Sequence, residues 1–243
     1  MTNETDLPDF DALYSDEPTL TPWDIGGPQP IVQQLVAFGG LRGEVLDPGT
    51  GPGHHAIHYA SKGYSVTGID SSSAGIERAR ANAARAGVSV DFQVGDASKL
   101  EGLENRFDTV VDCAFYHVFT DEDVQAGYMA AVHRATKPGA RLYMFEMGMH
   151  NINGIQCGLV SAENLERVLP AAGWRIDYLG PGQWVNNYAP QSFAQLSEVQ
   201  GKGNAELAER SKGLLHQLDV IGPLLTDNLI YMPFWAVAAT RVD

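Results

Sequence analysis

Cysteine is scarce in this chain: Cys113 and Cys157 are the only two in 243 residues. Neither sits in a CxxC or comparable ligand spacing, so the sequence offers no disulfide framework and no metal site, and it fits a reducing, cytoplasmic setting. Positive charge is also in short supply. Sixteen Lys and Arg face 30 Asp and Glu, a net charge of −14, with the acids spread along the chain. A nucleic-acid face needs clustered cations, so RNA and DNA are poor partners and the charge reads as solubility. Long apolar runs are missing too. None reaches the roughly 18 residues that a membrane-spanning helix needs, and no basic stretch followed by an apolar one opens the chain as a signal peptide would. There is no internal repeat. What remains, 44% hydrophobic and 19% charged, has the composition of an ordinary globular domain. The expectation is one domain over residues 1–243, monomeric or a homodimer.

Glycine is plentiful, and its placement is telling in GEVLDPGTGPGHHAI, residues 43–57. A short apolar stretch, Val45 and Leu46, ends in Asp47. It opens at once into a loop carrying Gly49, Thr50, Gly51 and Gly53, after which the pattern turns helical. Glycines let a chain turn sharply and bring its backbone close to a ligand. About 20 residues further on, the strand-like YSVTGID ends in Asp70, and an acid at the tip of a neighbouring parallel strand is placed to take both hydroxyls of a ribose. Together the two features read as a nucleoside-cofactor site.

Strand patterns at 43–47, 64–69, 88–94, 107–113 and 140–146, with helical patterns at 54–62, 73–86 and 121–135, predict βαβ units and a parallel sheet. Ser71–Ser73 supply N-cap candidates for the second helix and Gly87 closes it. Residues 161–172 read as a helix from a serine cap, WRIDYL as a strand and MPFWAVAATRV as the last strand. Residues 1–12 are polar and expected to be mobile. Residues 13–30, rich in Pro and Gly, are expected to form an ordered flap without regular helix, and a helix follows from Pro30. Helical patterns around 191–199 and 204–221 read as a cap inserted before the last strand. The expected division is flap and helix 13–40, cofactor-binding core 41–180, helical cap 180–230 and last strand 231–243.

The segments LDPGTGPG (46–53), GID (68–70), VGDASKL (94–100), FDTVVDCAFYHVF (107–119) and KPGARLYM (137–144) come in the order and spacing of the class I S-adenosylmethionine-dependent methyltransferases. The chain resembles that family over roughly residues 20–180 plus the closing strand. PWDIGGPQP (22–30) is similar to the N-terminal segment of its small-molecule branch, the thiopurine-type and mycobacterial heterocyclic-toxin or benzoquinone methyltransferases, where that segment folds over the cofactor. The resemblance implies an α/β, Rossmann-like seven-stranded sheet in the order 3-2-1-4-5-7-6, strand 7 antiparallel, with helices on both faces. It also implies S-adenosyl-L-methionine as cofactor and S-adenosyl-L-homocysteine as product. Pro48 is a less common residue at its place in the glycine motif, and the 180–230 insertion departs from the shortest members.

Carried onto this chain, the resemblance implies that Gly49, Thr50, Gly51 and Gly53 pass close to the amino-acid tail of the cofactor and that Asp47 orients its ammonium. Asp70 accepts from the ribose, with Ser71 at the adenine edge. Gly95, Asp96 and Ala97 hold the adenine, Asp96 accepting from its amino group, and Trp23 closes over the cofactor. Asp112, Cys113 and Ala114 end the fourth strand, where the strand order reverses and doubly wound folds bind ligands. They are expected beside the reacting methyl, Cys113 as a small wall residue rather than a nucleophile. The substrate pocket is expected to draw on Tyr14, Phe115, Tyr116, His117, Glu146, Trp184 and Tyr188, with Trp235 in the core. His117 is the candidate base, while His54 and His55 read first as capping or surface residues, with an approach of one of them to the methyl site as the alternative. In-line displacement on an activated carbon asks the protein mainly to position the acceptor. A phenol profits from a base, whereas a thiolate or neutral ring nitrogen needs none. No metal is expected. The reading is methyl transfer to an O, N or S atom of a small aromatic or heterocyclic molecule. The alternatives are a protein acceptor, a cofactor-binding protein without catalysis, and an NAD-dependent oxidoreductase, against which the GDA and VVDCAFYHVF motifs speak.

Overall fold

Alternation along the strands decides which helices each side chain meets. In the computed structural model, which describes residues 9–15, 21–156, 158–188, 216–217 and 220–243, β1 (Glu44–Pro48) sends Val45 into one core and Leu46 into the other. β4 (Phe107–Cys113) does the same with Val111 and Val110, because successive side chains on a strand point to opposite faces. One core receives α2 (Pro30–Ala37), α3 (His54–Ser61) and α4 (Ser73–Ala86); the other receives α5 (Glu122–Ala135) and α6 (Ala162–Ala171). With β2 (Ser65–Asp70), β3 (Asp91–Val94), β5 (Thr136–Met147), β6 (Trp174–Asn187) and β7 (Leu229–Arg241), the strands form one seven-stranded sheet in the order β3-β2-β1-β4-β5-β7-β6. β1 pairs in parallel with β2 and β4, and β7 runs antiparallel to β5 and β6. This is the sheet the motifs imply.

The helices start where their caps dictate. Ser72 accepts from the Gly75 amide at 3.0 Å, Asp121 from Asp123 and Val124, and Ser161 from Asn164 at 3.1 Å; each such cap is worth about 1 kcal/mol. Gly87 ends α4 in the left-handed conformation, φ 68°.

Four boundaries differ from the sequence reading. Residues Phe10–Ser15, expected as mobile chain running into a non-helical flap, form a short helix, α1. Asp11 fastens it by accepting from Ser72 Oγ (2.9 Å) and the Ala74 amide (3.1 Å) at the start of α4. β5 begins at Thr136 rather than 140. β6 runs to Asn187, so the cap does not begin at 180 and Trp184 is a strand residue. β7 begins at Leu229 rather than 231, its first residues pairing with the end of β6. Turn-forming Gly180, Pro181 and Gly182 hid this continuation of β6: Pro181 sits on the edge strand, where no ladder amide is lost. The helical pattern at 191–199 and most of that at 204–221 lie outside the described residues. Among the described residues no helix is long and apolar enough to cross a membrane.

Candidate active site

Parallel pairing brings the C-terminal ends of β1, β2, β4 and β5 to one edge, and each ends in or near an acid: Asp47, Asp70, Asp112 and Glu146. All four are buried. None of the first three takes part in an ion pair among the described residues, and Glu146 pairs only with His117.

On the β1–β2 side the glycine loop is tied down by backbone. Thr50 donates its amide to Ile69 O (3.0 Å) and its hydroxyl to Asp47 Oδ2 (2.5 Å). Asp70 accepts from the Gly51 amide (2.8 Å) and the Ser72 amide (2.9 Å). Burial, followed by the Asp112 and Asp70 charges and against the Thr50 hydrogen bond, pushes Asp47 up to about 7. Burial also raises Asp70. At Gly51, φ 49°, a Cβ would lie 2.9 Å from the Tyr14 hydroxyl, so Tyr14 on α1 packs against the loop. Trp23 lies edge-on to Phe10, 6.5 Å between centroids. The flap is fixed from below by Asp24, paired with His54 at 3.1 Å, so His54 is a tether. Gly53 also has a packing role. A Cβ there would meet Phe92 at 2.7 Å and Ala79 at 2.9 Å, which makes it a packing position between α3, α4 and β3.

At the β3 end, Asp96 is exposed and locally engaged. It accepts from the Ser98 amide (3.0 Å) and hydroxyl (2.5 Å) and pairs with Lys99 at 2.8 Å. Ser71 is exposed, Gly95 donates to Asp70 O, and Ala97 is buried beneath.

The β4–β5 side is built from side chains. Asp112 accepts from Tyr128 Oη (2.8 Å) and from the Phe115 and Tyr116 amides at 3.1 and 3.3 Å. His117, on the one-turn 3-10 helix Tyr116–Val118, lies with Nδ1 2.7 Å from Glu146 Oε2. Burial drives the imidazole down to about 4 and Glu146 up to about 8. Burial and the neighbouring Glu146 charge hold Asp112 well above the carboxylate range. Ala114, between the two halves, has φ 64°, a conformation that costs a non-glycine residue about 1–3 kcal/mol and gathers at functional sites.

Between the halves, donor atoms of Asp47, His55 and Cys113 lie within 4.8 Å of one another, a grouping that the linear spacing of the two cysteines did not reveal. Burial first, then the Asp47 and Asp112 charges, push the Cys113 thiol well up, which fits a wall residue. His55 is half-buried rather than a surface residue, and burial holds its imidazole down to about 3. From it a row of rings crosses the site. His55 is edge-on to Trp184 (5.8 Å), Trp184 stacks on Phe234 (4.8 Å, 6°), and Phe234 is edge-on to His117 (5.9 Å).

Two expected pocket residues are not part of this wall. Tyr116 is fully buried in the other core, its hydroxyl directed to Gln125 Oε1 (3.1 Å) and Asn164 Oδ1 (2.8 Å). Tyr188 packs at the end of β6 against Gly222. Phe115 packs edge-on against Phe119 and Tyr128, both at 5.2 Å. Phe234, Tyr128 and Gln29 were missed by the sequence reading. Phe234 was findable: neighbouring Trp235 takes the opposite face, so one of the two had to face the site. Gln29 left no signal, yet its amide clamps Val185 of β6 through two hydrogen bonds of 2.8 and 2.9 Å, fixing the strand that carries Trp184.

Comparison with known proteins agrees with this architecture. Residues 45–139 match the family model described as a methyltransferase domain. A 2-heptyl-1-hydroxyquinolin-4(1H)-one methyltransferase of Mycobacteroides abscessus is 37% identical over 188 residues, covering 73% of this chain and 81% of that protein. A probable thiol methyltransferase of Arabidopsis thaliana is 29% identical over 161 residues, 65% of this chain and 70% of that one. Among solved structures, one from the conversion of a disulfide bond into a thioacetal group during echinomycin biosynthesis superposes with a TM-score of 0.72 at 29% identity, covering 96% of this chain and 91% of the other. The chain belongs to the class I S-adenosylmethionine-dependent methyltransferases.

Proposed function

We propose that this methyltransferase moves the methyl group by in-line displacement to an O, N or S atom of a small planar aromatic or heterocyclic acceptor, with His117 as the base where the acceptor must lose a proton. The observation that carries the reading is the ring wall His55–Trp184–Phe234–His117, which runs from Cys113 and Asp47 at one end to a half-buried neutral imidazole at the other. A flat acceptor at the His117 end of this row, whose Trp184 and Phe234 are themselves buried, brings its reacting atom within reach of a group able to take a proton. The quinolone, thiol and echinomycin-related likenesses support small acceptors of both oxygen and sulfur kinds.

The cofactor half of the proposal places the tail at Asp47, Thr50 and the glycine loop, the ribose at Asp70 and the adenine at Ser71, Gly95, Asp96 and Ala97. Buried acids without cationic partners favour a ligand that brings positive charge, and the cofactor supplies a sulfonium and an ammonium. Each Asp70 oxygen that accepts one backbone amide keeps a lone pair for a hydroxyl. Asp96 takes the adenine amino group only with its Lys99 pair opened or shared. We further propose a single cytoplasmic domain, monomeric or dimeric, without nucleic-acid or membrane partners.

The test is calorimetric titration with S-adenosylhomocysteine, NAD as control, followed by methyl transfer to an N-hydroxyquinolone, a phenol and an aryl thiol. Micromolar binding of the first ligand and turnover of a planar acceptor are expected. Turnover of peptide or protein acceptors only would overturn the small-molecule reading.

A further inference from the structure

Glu146 is held in the least favourable place for a carboxylate, fully buried at the end of β5. Its Oε2 lies 2.7 Å from His117 Nδ1 and accepts from the His117 amide at 3.0 Å. The Met147 amide points at the same Nδ1, 3.3 Å away. The imidazole is therefore gripped at Nδ1 by two groups of one strand and braced edge-on by Phe234. Nδ1 is used up inside the protein, and Nε2 is the nitrogen left to meet an acceptor.

We infer that Glu146 is a positioning residue for His117: it fixes the ring and, by giving or taking the proton on Nδ1, sets whether Nε2 faces the acceptor as a donor or as a base. The inference rests on the reading of His117 as the base and adds what controls it.

The proton balance is simple. With Glu146 protonated, Oε2–H donates to Nδ1, the other nitrogen keeps its hydrogen, and His117 presents N–H. When one proton leaves the pair, Nδ1 lets go of the Met147 amide and takes a proton, the carboxylate accepts Nδ1–H, and Nε2 presents its lone pair. Nε2 then takes the O–H, N–H or S–H proton of the acceptor as the acceptor's electron pair bonds to the methyl carbon. The S–CH3 bond breaks, its electron pair stays on sulfur, and the cofactor becomes the neutral thioether. The resulting imidazolium–carboxylate pair loses its proton to water after product leaves. Burial favours the state in which Glu146 carries the proton and the imidazole is neutral, so the base form emerges as pH rises through about 8. The groups bearing on Glu146 are Asp112 from β4, whose carboxyl shares a side-chain hydrogen bond with it and so competes for its proton, Cys113 from β4, Tyr116 beside His117, and Tyr128 from α5, which donates to Asp112. β7 contributes Phe234 and Trp235, neither ionisable.

The test reads the ring directly. Nitrogen NMR of ¹⁵N-histidine-labelled protein bound to S-adenosylhomocysteine is followed from pH 6 to 10, with His117→Gln assigning the signal. The expected result is a change of His117 from the Nε2–H to the Nδ1–H tautomer with a midpoint near 8, absent in Glu146→Gln. That variant should lose more than about ten-fold in kcat and the alkaline rise of its pH profile, with homocysteine-analogue affinity within about two-fold. A single tautomer at every pH in the wild type, or the same transition in Glu146→Gln, would overturn the inference. Full kcat in His117→Gln would instead sink the base reading beneath it. The wild-type titration decides even if Glu146→Gln does not fold.

Discussion

The two halves of the site satisfy their polar groups differently. On the glycine-loop side, backbone does the work: Asp70 takes the Gly51 and Ser72 amides, and Asp47 takes the Thr50 hydroxyl. On the acceptor side a buried polar atom is left over: Trp184 Nε1 finds no partner among the described residues. Each such orphan costs about 1–3 kcal/mol, and native structures keep them where something else completes the set. On the proposed reading, the cofactor half is built by the fold alone, while the acceptor half is left for its ligand to finish.

The largest expected effect attacks the finished half. Asp70→Ala should weaken S-adenosylhomocysteine binding more than about 100-fold, because it removes the proposed ribose acceptor and frees two backbone amides that shape the loop. The melting temperature should fall with it. Asp70→Asn, which still offers one acceptor oxygen, should bind in between. Calorimetry showing unchanged affinity in both variants would mean that the ribose lies elsewhere. The unfinished half predicts the opposite pattern. Trp184→Phe keeps a ring against Phe234 but removes part of the buried indole together with the orphaned N–H, so the cavity should lower stability by about 1–3 kcal/mol. The KM for a planar acceptor should rise up to about ten-fold, the worth of one hydrogen bond, with cofactor affinity untouched. A loss of cofactor affinity instead would break the division into halves.

Acidity sharpens the comparison on a smaller scale. Asp47 is held up to about 7 and Glu146 up to about 8 by burial, against ordinary values near 4 when unfolded. Between those limits the folded protein binds more protons than the unfolded chain, so these groups make stability fall as pH rises from about 4 to 8, by up to about 1.4 kcal/mol per unit per proton. The ligand-free protein should therefore melt at a lower temperature at pH 8 than at pH 6. Bound S-adenosylmethionine, whose positive charges favour ionised Asp47, should flatten the slope, and its affinity should increase with pH through about 7. Calorimetric melts at both pH values, with and without ligand, check the sign.

The same division explains what could be read from the sequence. Asp47, Gly51 and Asp70 belong to strand ends and a loop whose chemistry is local, so spacing along the chain sufficed. The ring wall is not local: His55 comes from α3, Trp184 from β6 and Phe234 from β7, and only the pairing of β6 with β7 aligns the last two. Likewise Glu146 and His117 are 29 positions apart and meet because β4 and β5 are neighbours. The Gly180–Gly182 stretch read as the end of a strand, since turn residues are visible along the chain whereas the pairing with β7 that carries β6 on to Asn187 is not.

Tyr116 gives the finest cut. Its neighbour His117 faces the ring wall, yet Tyr116 turns through the 3-10 helix into the opposite core, where its hydroxyl bridges Gln125 on α5 and Asn164 on α6. It therefore holds two helices together rather than touching an acceptor. Tyr116→Phe keeps the ring in its packed place and removes only the hydroxyl, so the cost is about 0.5–1.5 kcal/mol of stability, visible as a drop of a few degrees in melting temperature. Both kcat and the acceptor KM should stay within about two-fold of wild type. A ten-fold rise in acceptor KM at unchanged stability would put Tyr116 back on the acceptor wall, and the boundary between the two cores at this turn would have to be redrawn.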